Sequence, residues 1–304
     1  MSLPTTSRRT RPRVLGLLAA ASLVLAAGCG SDGTSTTEPS DSTSTSPSSS
    51  ASESASPTAS QSPSESPTEA PVAGGVYYLT DTRAGLRLTR EIRDLDAADP
   101  ASAAVRAMIS GPEDPDYVSP WNPDTTVLGV TRRGSVVRVN LSTDARTANI
   151  GSEGAALMIQ QLVYTVTQST DPADRVLLLI AGKPAGELWG AVAWTKPVGR
   201  ADPLDVRSLV TLDAPREGAT TASPVTVTGE AAAFEANVPW RVLDADGRVV
   251  RRGHTMTSEG MTFSPFSFRV RLRPGVYTVE ISEDDPSGGE GGTPMTDDRT
   301  FTVQ

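Results

Sequence analysis

Clustered carboxylates on one long segment are the residues whose types and spacing best suit catalysis. The cluster consists of Glu113, Asp114 and Asp116. It falls within residues 112–125, which are rich in proline and aspartate and also carry Tyr117 and Trp121. A peptidoglycan glycosidase needs only two such acids, and long segments without regular structure are often functional. The segment is therefore a candidate for binding or hydrolysis, although acids clustered on a loop are more often solvated surface.

A second acidic group lies near the C-terminus. Its members are Glu283, Asp284, Asp285, Asp297 and Asp298. Carboxylate oxygens are suitable ligands for a hard cation such as calcium. Their spacing matches no EF-hand loop, which favours an exposed acidic hairpin instead. Trp189 and Trp194 are a further candidate pair, either as the lining of a hydrophobic dock or as core residues.

No nucleophilic or phosphate-binding motif accompanies these acids. His254 is the single histidine, so a Ser-His-Asp arrangement would have to use it, yet no G-x-S-x-G sequence is present. Neither Lys183 nor Lys196 has a serine three positions earlier, and no phosphate-binding loop occurs. The sequence predicts a protein that is not an enzyme and that uses neither a cofactor nor a metal ion.

Composition excludes several other classes. One cysteine and one histidine among 304 residues cannot form a disulfide framework or a structural zinc site within one chain. The chain has 36 acidic and 27 basic residues, a formal net charge of −9. Such a chain has no general electrostatic attraction to nucleic acid, so no nucleic-acid partner is predicted.

The single cysteine follows an N-terminal targeting pattern. Four arginines within the first 13 residues precede an apolar stretch, residues 14–27, that is too short to span a bilayer comfortably. The sequence Ala26-Ala27-Gly28-Cys29 resembles a bacterial lipobox. The resemblance implies a lipoprotein signal peptide over residues 1–28 and acylation of Cys29, with palmitate-type chains that anchor the protein stably to the outer face of the cell membrane. The alternative is an ordinary secretory signal that leaves a free thiol.

Residues 29–72 are predicted to be a disordered tether. Of residues 31–70, 23 of 40 are serine or threonine, and none is large and apolar. Such a segment cannot bury enough apolar surface to offset the entropy of ordering. It would let the folded part reach about 35 Å from the anchor, and its composition also permits an O-glycosylated stalk.

Residues 73–198 are predicted to form an α+β domain of order ββαββαβ, with helices on one face of a sheet. Asp99-Pro100 and Gly111 mark the ends of the first helix. Several pieces resemble the GerMN domain of bacterial envelope proteins: residues 76–78, 88–92, 109–112, 134–141, 161–167 and 176–182. The resemblance implies a fold similar to ring-building modules of secretion and sporulation complexes, with no established catalytic residues.

Residues 207–304 contain seven short predicted strands separated by turns, which is typical of a β-sandwich. Residues 223–229, 234–238 and 244–249 resemble the immunoglobulin-like domain that accompanies spore-germination proteins. Together the patterns predict a lipid-anchored, extracytoplasmic module that binds envelope proteins or peptidoglycan. The alternatives are a peptidoglycan-acting glycosidase that uses the loop carboxylates and a carrier of lipid or glycolipid.

Overall fold

The computed structural model describes residues 70–148, 150–285, 290 and 292–304. The predicted signal peptide, Cys29 and nearly all of the predicted tether lie outside these residues. The helices in the described part of the chain are too short or too polar to span a bilayer.

The first domain combines a long hairpin, two main helices and a mixed sheet. Its strands are β1 (Val72–Thr82), β2 (Gly85–Leu95), β3 (Val127–Arg133), β4 (Val136–Leu141), β5 (Arg175–Ile180), β6 (Lys183–Pro184), β7 (Gly186–Leu188) and β8 (Val192–Trp194). Its helices are α1 (Pro100–Ser110) and α2 (Ser152–Ser169). The predicted order ββαββαβ is confirmed for the first seven elements. The short strands β6 to β8 were not predicted, because two or three residues show no alternation.

Local signals set the ends of α1. The Asp99 carboxylate accepts a hydrogen bond from the Ser102 N–H at 3.1 Å, and Pro100 occupies the first turn. Gly111 ends the helix at a φ of 98°, a conformation that favours glycine, and its N–H donates to the Ala107 carbonyl. Both predicted ends of the helix are therefore confirmed.

The strands of this domain form separate sheets rather than the single sheet predicted. β1 and β2 form an antiparallel hairpin, whereas β3, β4, β5 and β6 form a four-stranded sheet in that order. β4 and β5 run parallel, and α2 is the crossover that parallel strands require. Both helices share one core with the hairpin and the sheet, and α2 is buried on all sides over residues 161–167. The hairpin thus packs through the helices rather than extending the sheet.

The second domain is a β-sandwich preceded by a short helix, α3 (Pro203–Val206). Its strands are β9 (Val210–Ala214), β10 (Thr220–Thr221), β11 (Val225–Ala231), β12 (Asn237–Asp244), β13 (Val249–Met256), β14 (Ser264–Val270), β15 (Gly275–Ser282) and β16 (Thr296–Val303). One sheet has the order β10-β16-β15-β12-β13 and the other β14-β11-β9. All seven predicted strands are present. Valine, leucine and phenylalanine side chains from both sheets fill the core, which confirms the all-β prediction.

Candidate functional site

A buried polar cluster joins the two domains. We call it the Arg299 cluster; its members are Asp114, Tyr117, Asp297 and Arg299. Nη1 of Arg299 lies 2.7 Å from Oδ2 of Asp114 and 2.9 Å from Oδ1 of Asp297. Nη2 of Arg299 donates to the Tyr117 hydroxyl at 2.6 Å and to the Leu212 carbonyl at 3.3 Å. Asp114 and Tyr117 belong to the first domain, so the guanidinium bridges the domain boundary.

Further hydrogen bonds hold the Arg299 cluster together. The Tyr117 hydroxyl donates to Oδ1 of Asp297 at 2.5 Å, and the Leu212 N–H donates to Oδ2 of Asp297 at 2.5 Å. The Arg299 guanidinium also lies 4.9 Å from the centre of the Tyr117 ring. Burial raises the pKa of Tyr117 well above its usual value, so the phenol keeps its proton and remains a donor.

Glu91 on β2 fixes residues 112–125, which we call the long loop, in the conformation that brings Asp114 to Arg299. Its carboxylate accepts the N–H of Glu113 at 3.1 Å and the N–H of Asp114 at 3.0 Å. Arg93 lies 3.0 Å from the Glu91 carboxylate and 3.1 Å from that of Glu113. The Asp114 carboxylate in turn accepts the Asp116 N–H at 2.8 Å. The loop therefore reaches the second domain in a fixed conformation.

A second group, the Arg90 cluster, crosses the same boundary; it consists of Arg90, Arg207, Asp213 and Glu230. Arg90 forms a two-point contact with Asp213 at 3.0 and 2.6 Å, and its Nη1 lies 2.9 Å from Glu230. Arg207 lies 2.9 Å from the other Glu230 oxygen. Burial alone would raise the pKa of Glu230, but the two guanidinium groups hold it below its ordinary value.

The chain between the domains is also bound rather than free. The Tyr164 hydroxyl on α2 donates to the Ala201 carbonyl at 2.7 Å, and the Ala201 N–H donates to the Gln160 side chain at 2.8 Å. Further on, the Ser208 N–H donates to the Leu88 carbonyl at 2.8 Å. Besides the two charged clusters, hydrogen bonds from the backbone of this connection therefore also hold the domain boundary.

Two carboxyl groups at the Arg299 cluster have raised pKa values, chiefly because they are buried. Burial raises the pKa of Asp114 to about 6, although Arg299 opposes the shift. Burial and the negative charges of Asp116 and Asp297 raise the pKa of Asp298 to about 6. The boundary therefore contains carboxyl groups that take up protons under mildly acidic conditions.

The structure places the candidate acids of the glycosidase alternative in different surroundings. Asp114 is engaged by Arg299, Glu113 pairs with Arg93, and Asp116 is exposed. The loop brings them to the domain boundary, and none lines either of the two grooves described below. Two acids that face each other across a substrate, as a glycosidase requires, are therefore not formed by Asp114 and its neighbours.

The second acidic group is likewise divided among protein partners. Glu283 pairs with Arg83 and accepts the Met295 N–H at 2.8 Å, and Asp284 accepts a hydrogen bond from Asn237 at 2.9 Å. Asp297 is part of the Arg299 cluster. Over the described ranges, the acidic, cysteine and histidine side chains form no group that could hold a metal ion.

The tryptophan pair packs in the first domain rather than lining a dock. Trp194 is fully buried, and its indole N–H donates to the Val176 carbonyl at 3.2 Å. Trp189 stacks edge-on against Trp121 at 5.4 Å and donates to the Ala145 carbonyl at 3.0 Å. These contacts confirm the core interpretation.

One of two open grooves lies on the segment that the sequence indicates as a candidate for binding, and the other was not predicted. One, of about 640 Å³, follows residues 118–123 of the long loop and Thr147 and Ala148. The other, of about 600 Å³, lies on the sandwich and includes His254, which is exposed on β13. The groove on the sandwich escaped detection because it collects residues from several strands whose pairing the sequence does not give.

The arginines at the boundary were also missed, although one signal was available. Along β16 the inward positions are Asp297, Arg299, Phe301 and Val303. A charged pair in the apolar register of a strand predicts a buried ion pair. The partner Asp114 lies on a loop, so its position could not be deduced in the same way.

The fold and its boundary define an α+β domain joined through buried charges to an immunoglobulin-like sandwich. Residues 75–186 match the family model described as "Sporulation and spore germination". Residues 209–290 match the model described as "Immunoglobulin-like domain of bacterial spore germination". Both matches confirm the resemblances found in the sequence, in the expected order. A comparison with curated protein sequences gave no match.

Solved structures with similar folds include two from Bacillus subtilis. The tandem GerMN domains of the sporulation protein GerM are 19% identical, with 46% of this chain and 50% of that chain covered and a TM-score of 0.37. This chain thus spans half of that structure. The first GerMN domain alone is 22% identical, with 43% and 99% covered and a TM-score of 0.36. A predicted lipoprotein from Clostridium perfringens is 18% identical, with 45% and 93% covered and a TM-score of 0.32.

Proposed function

We propose that this chain is an extracytoplasmic lipoprotein, anchored to the cell membrane through Cys29, whose two domains act as one docking module for envelope proteins or peptidoglycan. The observation that carries the proposal is the Arg299 cluster. It joins the domains through buried, paired charges and uses Asp114, the most buried of the candidate acids on the long loop.

Buried ion pairs favour one domain arrangement over others, because any other arrangement leaves a charge without its partner. The Arg299 cluster, the Arg90 cluster and the bound connection all act on the same boundary. A fixed arrangement lets both domains contribute to a single binding surface. A fixed arrangement of domains is useful for a module that positions a partner. Domains in one chain usually move relative to one another unless their interface is extensive.

Two features support a binding role over an enzymatic one. The matched family models are described by sporulation, germination and an immunoglobulin-like fold, not by a reaction. The candidate acids are paired with arginines or dispersed, as described above. The carrier alternative requires an apolar cavity between the helices and the strands of the first domain. Buried side chains such as Tyr78, Met108 and Leu162 fill that space, which argues against a carrier.

The test is crosslinking of the intact lipoprotein in its own cells, followed by mass spectrometry. We expect the anchored chain to capture a defined set of envelope proteins or peptidoglycan fragments, and Cys29→Ala to reduce that capture. A control that carries residues 1–72 on an unrelated domain reports capture by the tether alone. Capture no greater than this control would overturn the proposal.

The glycosidase alternative has its own test. Purified chain is incubated with peptidoglycan, and released muropeptides are measured for the native chain and for Glu113→Gln and Asp116→Asn. We expect no release from any of them. Release by the native chain that either substitution abolishes would replace the docking proposal with hydrolysis.

A further inference from the structure

A row of exposed arginines lies along one edge of the sandwich. Arg269 is on β14, and Arg271 and Arg273 follow it at alternate positions. The intervening Val270 and Leu272 are buried in the core of the sandwich. Because side chains of an extended chain alternate between faces, the three arginines share the outward face. We call these three residues the arginine row.

A fourth exposed arginine reaches this row from the other sheet. The Thr255 hydroxyl on β13 donates to the Ser267 carbonyl on β14 at 3.4 Å, which joins the two strands at the edge of the sandwich. The chain turns back between them, so residues before Thr255 lie beside residues after Ser267. Arg251 precedes Thr255 by four positions. Arg271 follows Ser267 by the same number, so the two arginines lie side by side.

A ring contact supports this alignment. Gly253 on β13 is paired with Trp240, whose ring stacks on Phe268 of β14 with the centroids 4.5 Å apart. Gly253 is midway between Thr255 and Arg251. β13 therefore continues to follow β14 toward the arginine row.

The surface around the row is positive although the chain as a whole is acidic. Residues 249–275 contain five arginines and a single glutamate, whereas the whole chain has a formal net charge of −9. The neighbouring Arg241 and Arg248 are ion-paired with carboxylates. Within the described residues, no such pair engages the arginine row or Arg251. Their guanidinium groups are therefore available to an anion from outside the protein.

The spacing of the row suits a linear polyanion. Residues of an extended strand are about 3.3 Å apart, so the three arginines recur about every 6.6 Å over roughly 13 Å. A peptide unit has three backbone bonds and spans at most about 3.3–3.6 Å. A polymer with one anion for every six backbone bonds therefore repeats its charge at about 7 Å, close to the spacing of the row. Poly(glycerol phosphate) has this six-bond repeat.

The positions beside the row favour a phosphodiester polymer. Thr226 is paired with Arg269, and Thr228 is paired with Ser267. Their hydroxyl groups can donate hydrogen bonds to phosphate oxygens. These outward positions offer no aromatic ring on which a nucleic-acid base could stack. They are also uncharged, so the cationic surface is narrow and matches a polymer chain better than the broad surface of a membrane.

The acidic tether of the same chain fits the row less well. A phosphodiester carries its charge in the polymer backbone, whereas a peptide must order one side chain for each carboxylate, at a cost in conformational entropy. Moreover, no two acids of the predicted tether stand at alternate positions. These acids are Asp32, Glu38, Asp41, Glu53, Glu65 and Glu69.

We propose that the arginine row and Arg251 bind a poly(glycerol phosphate) chain of the cell envelope, with one phosphodiester at each guanidinium of the row. The inference rests on the extracytoplasmic location in the proposed function and adds an anionic polymer to the partners proposed there. The non-bridging oxygens of each phosphodiester match the paired N–H donors of a guanidinium.

The probe is a synthetic poly(glycerol phosphate) of about six units, which is longer than the row. It is titrated by calorimetry into the full-length chain in a nonionic detergent. We expect saturable binding that weakens as the salt concentration rises, because the bound polymer releases its counterions. Neutral polyglycerol of the same length should not bind. Absence of binding by the phosphate polymer would overturn the inference.

Three other polyanions test the class of ligand. Polyglutamate and vesicles of phosphatidylglycerol should bind at least about tenfold more weakly, because more groups must be ordered for each contact. Oligothymidylate has the same six-bond repeat, so binding no tighter than that of the glycerol polymer supports recognition of the phosphodiester backbone. Tighter binding of any of the three would overturn the assignment to poly(glycerol phosphate).

Arg271→Gln is expected to weaken binding of the probe by about tenfold and to reduce its salt dependence, because one charge-assisted contact is lost. Arg138→Gln is the matched control, since Arg138 is likewise exposed on a strand but belongs to β4 of the first domain. Equal effects of the two substitutions would overturn the inference. Aggregation of Arg271→Gln without loss of affinity would also overturn it, and would assign the row to protection of the edge strand β14.

The crosslinking experiment measures the docking function separately. If the polymer does not bind but the native chain still captures envelope proteins, the present inference fails and the docking function remains, at another surface. If neither is observed, both proposals fail.

Discussion

Arg299 on the last strand of the sandwich and Asp114 on the long loop of the first domain form an ion pair of 2.7 Å across the domain boundary. Both residues are only 2% exposed. A buried charge that loses its partner keeps its full desolvation penalty, so the pair commits the two domains to one arrangement. The docking proposal depends on this relationship.

Replacing Arg299 with methionine is expected to lower the free energy of unfolding by about 3–5 kcal/mol, because Asp114 and Asp297 would remain buried without their cation. Denaturant unfolding followed by tryptophan fluorescence measures the change. Arg269→Met is the control, because Arg269 is exposed on β14. A midpoint for Arg299→Met that equals that of the control would mean that the domains do not depend on this cluster.

Glu91→Gln is expected to loosen the long loop. The glutamine oxygen is a weaker acceptor for the N–H groups of Glu113 and Asp114, and charge-assisted hydrogen bonds of this kind contribute about 1.5–3 kcal/mol. Amide hydrogen exchange at these two positions should accelerate by roughly tenfold or more. Glu113→Gln, which removes only the exposed partner of Arg93, should leave exchange at Asp114 nearly unchanged.

Local patterns predicted the elements well but not how they assemble. The capping of α1 by Asp99 and all seven strands of the sandwich follow from signals within a few residues. The division of the first domain into a hairpin and a separate sheet does not follow from such signals. It depends on α2 being buried on all sides, and the sequence of α2 has no second apolar stripe that would predict this burial. Pairings such as Tyr117 with Asp297 join residues distant in sequence, and no local rule specifies them.

The acids show the same limit at the site. Glu113, Asp114 and Asp116 were recognised as a cluster, yet their roles depend on Arg93 and Arg299, which lie elsewhere in the chain. The inward register of Arg299 on β16 could have indicated a buried partner. It could not have indicated which of the 36 acidic residues that partner is.

Gly229→Ala is expected to destabilise the sandwich by about 1–3 kcal/mol or more, because the new methyl group forces a backbone shift. A Cβ atom at this position would lie 2.1 Å from the Thr211 carbonyl oxygen and 2.6 Å from the Phe266 ring. Thermal unfolding measures the effect. Gly199→Ala is the control, since its Cβ would be 3.8 Å from Arg175, and an equal shift in both variants would contradict the explanation.

Asp298→Asn is expected to stabilise the protein near pH 7.5 and to have little effect near pH 4. The folded protein holds the pKa of Asp298 at about 6, above its usual value of 3.8, through burial and the negative charges of Asp116 and Asp297. Between these two values the folded state binds the proton more tightly than the unfolded state does. The stability that this group contributes is therefore complete below about pH 4 and is lost as the pH rises through 6.

The Asp298→Asn substitution removes the negative charge that causes this loss of folding stability. Because Asp298 is only half-buried, we expect a gain on the order of 1 kcal/mol at pH 7.5 after allowance for solvent screening. Urea unfolding of native chain and variant at both pH values gives the difference, and Asp124→Asn, an exposed acid on the long loop, controls for the general effect of one fewer charge. A gain that is the same at pH 4 and pH 7.5 would show that Asp298 does not titrate at the domain boundary, and destabilisation at pH 7.5 would show that its charge is needed there.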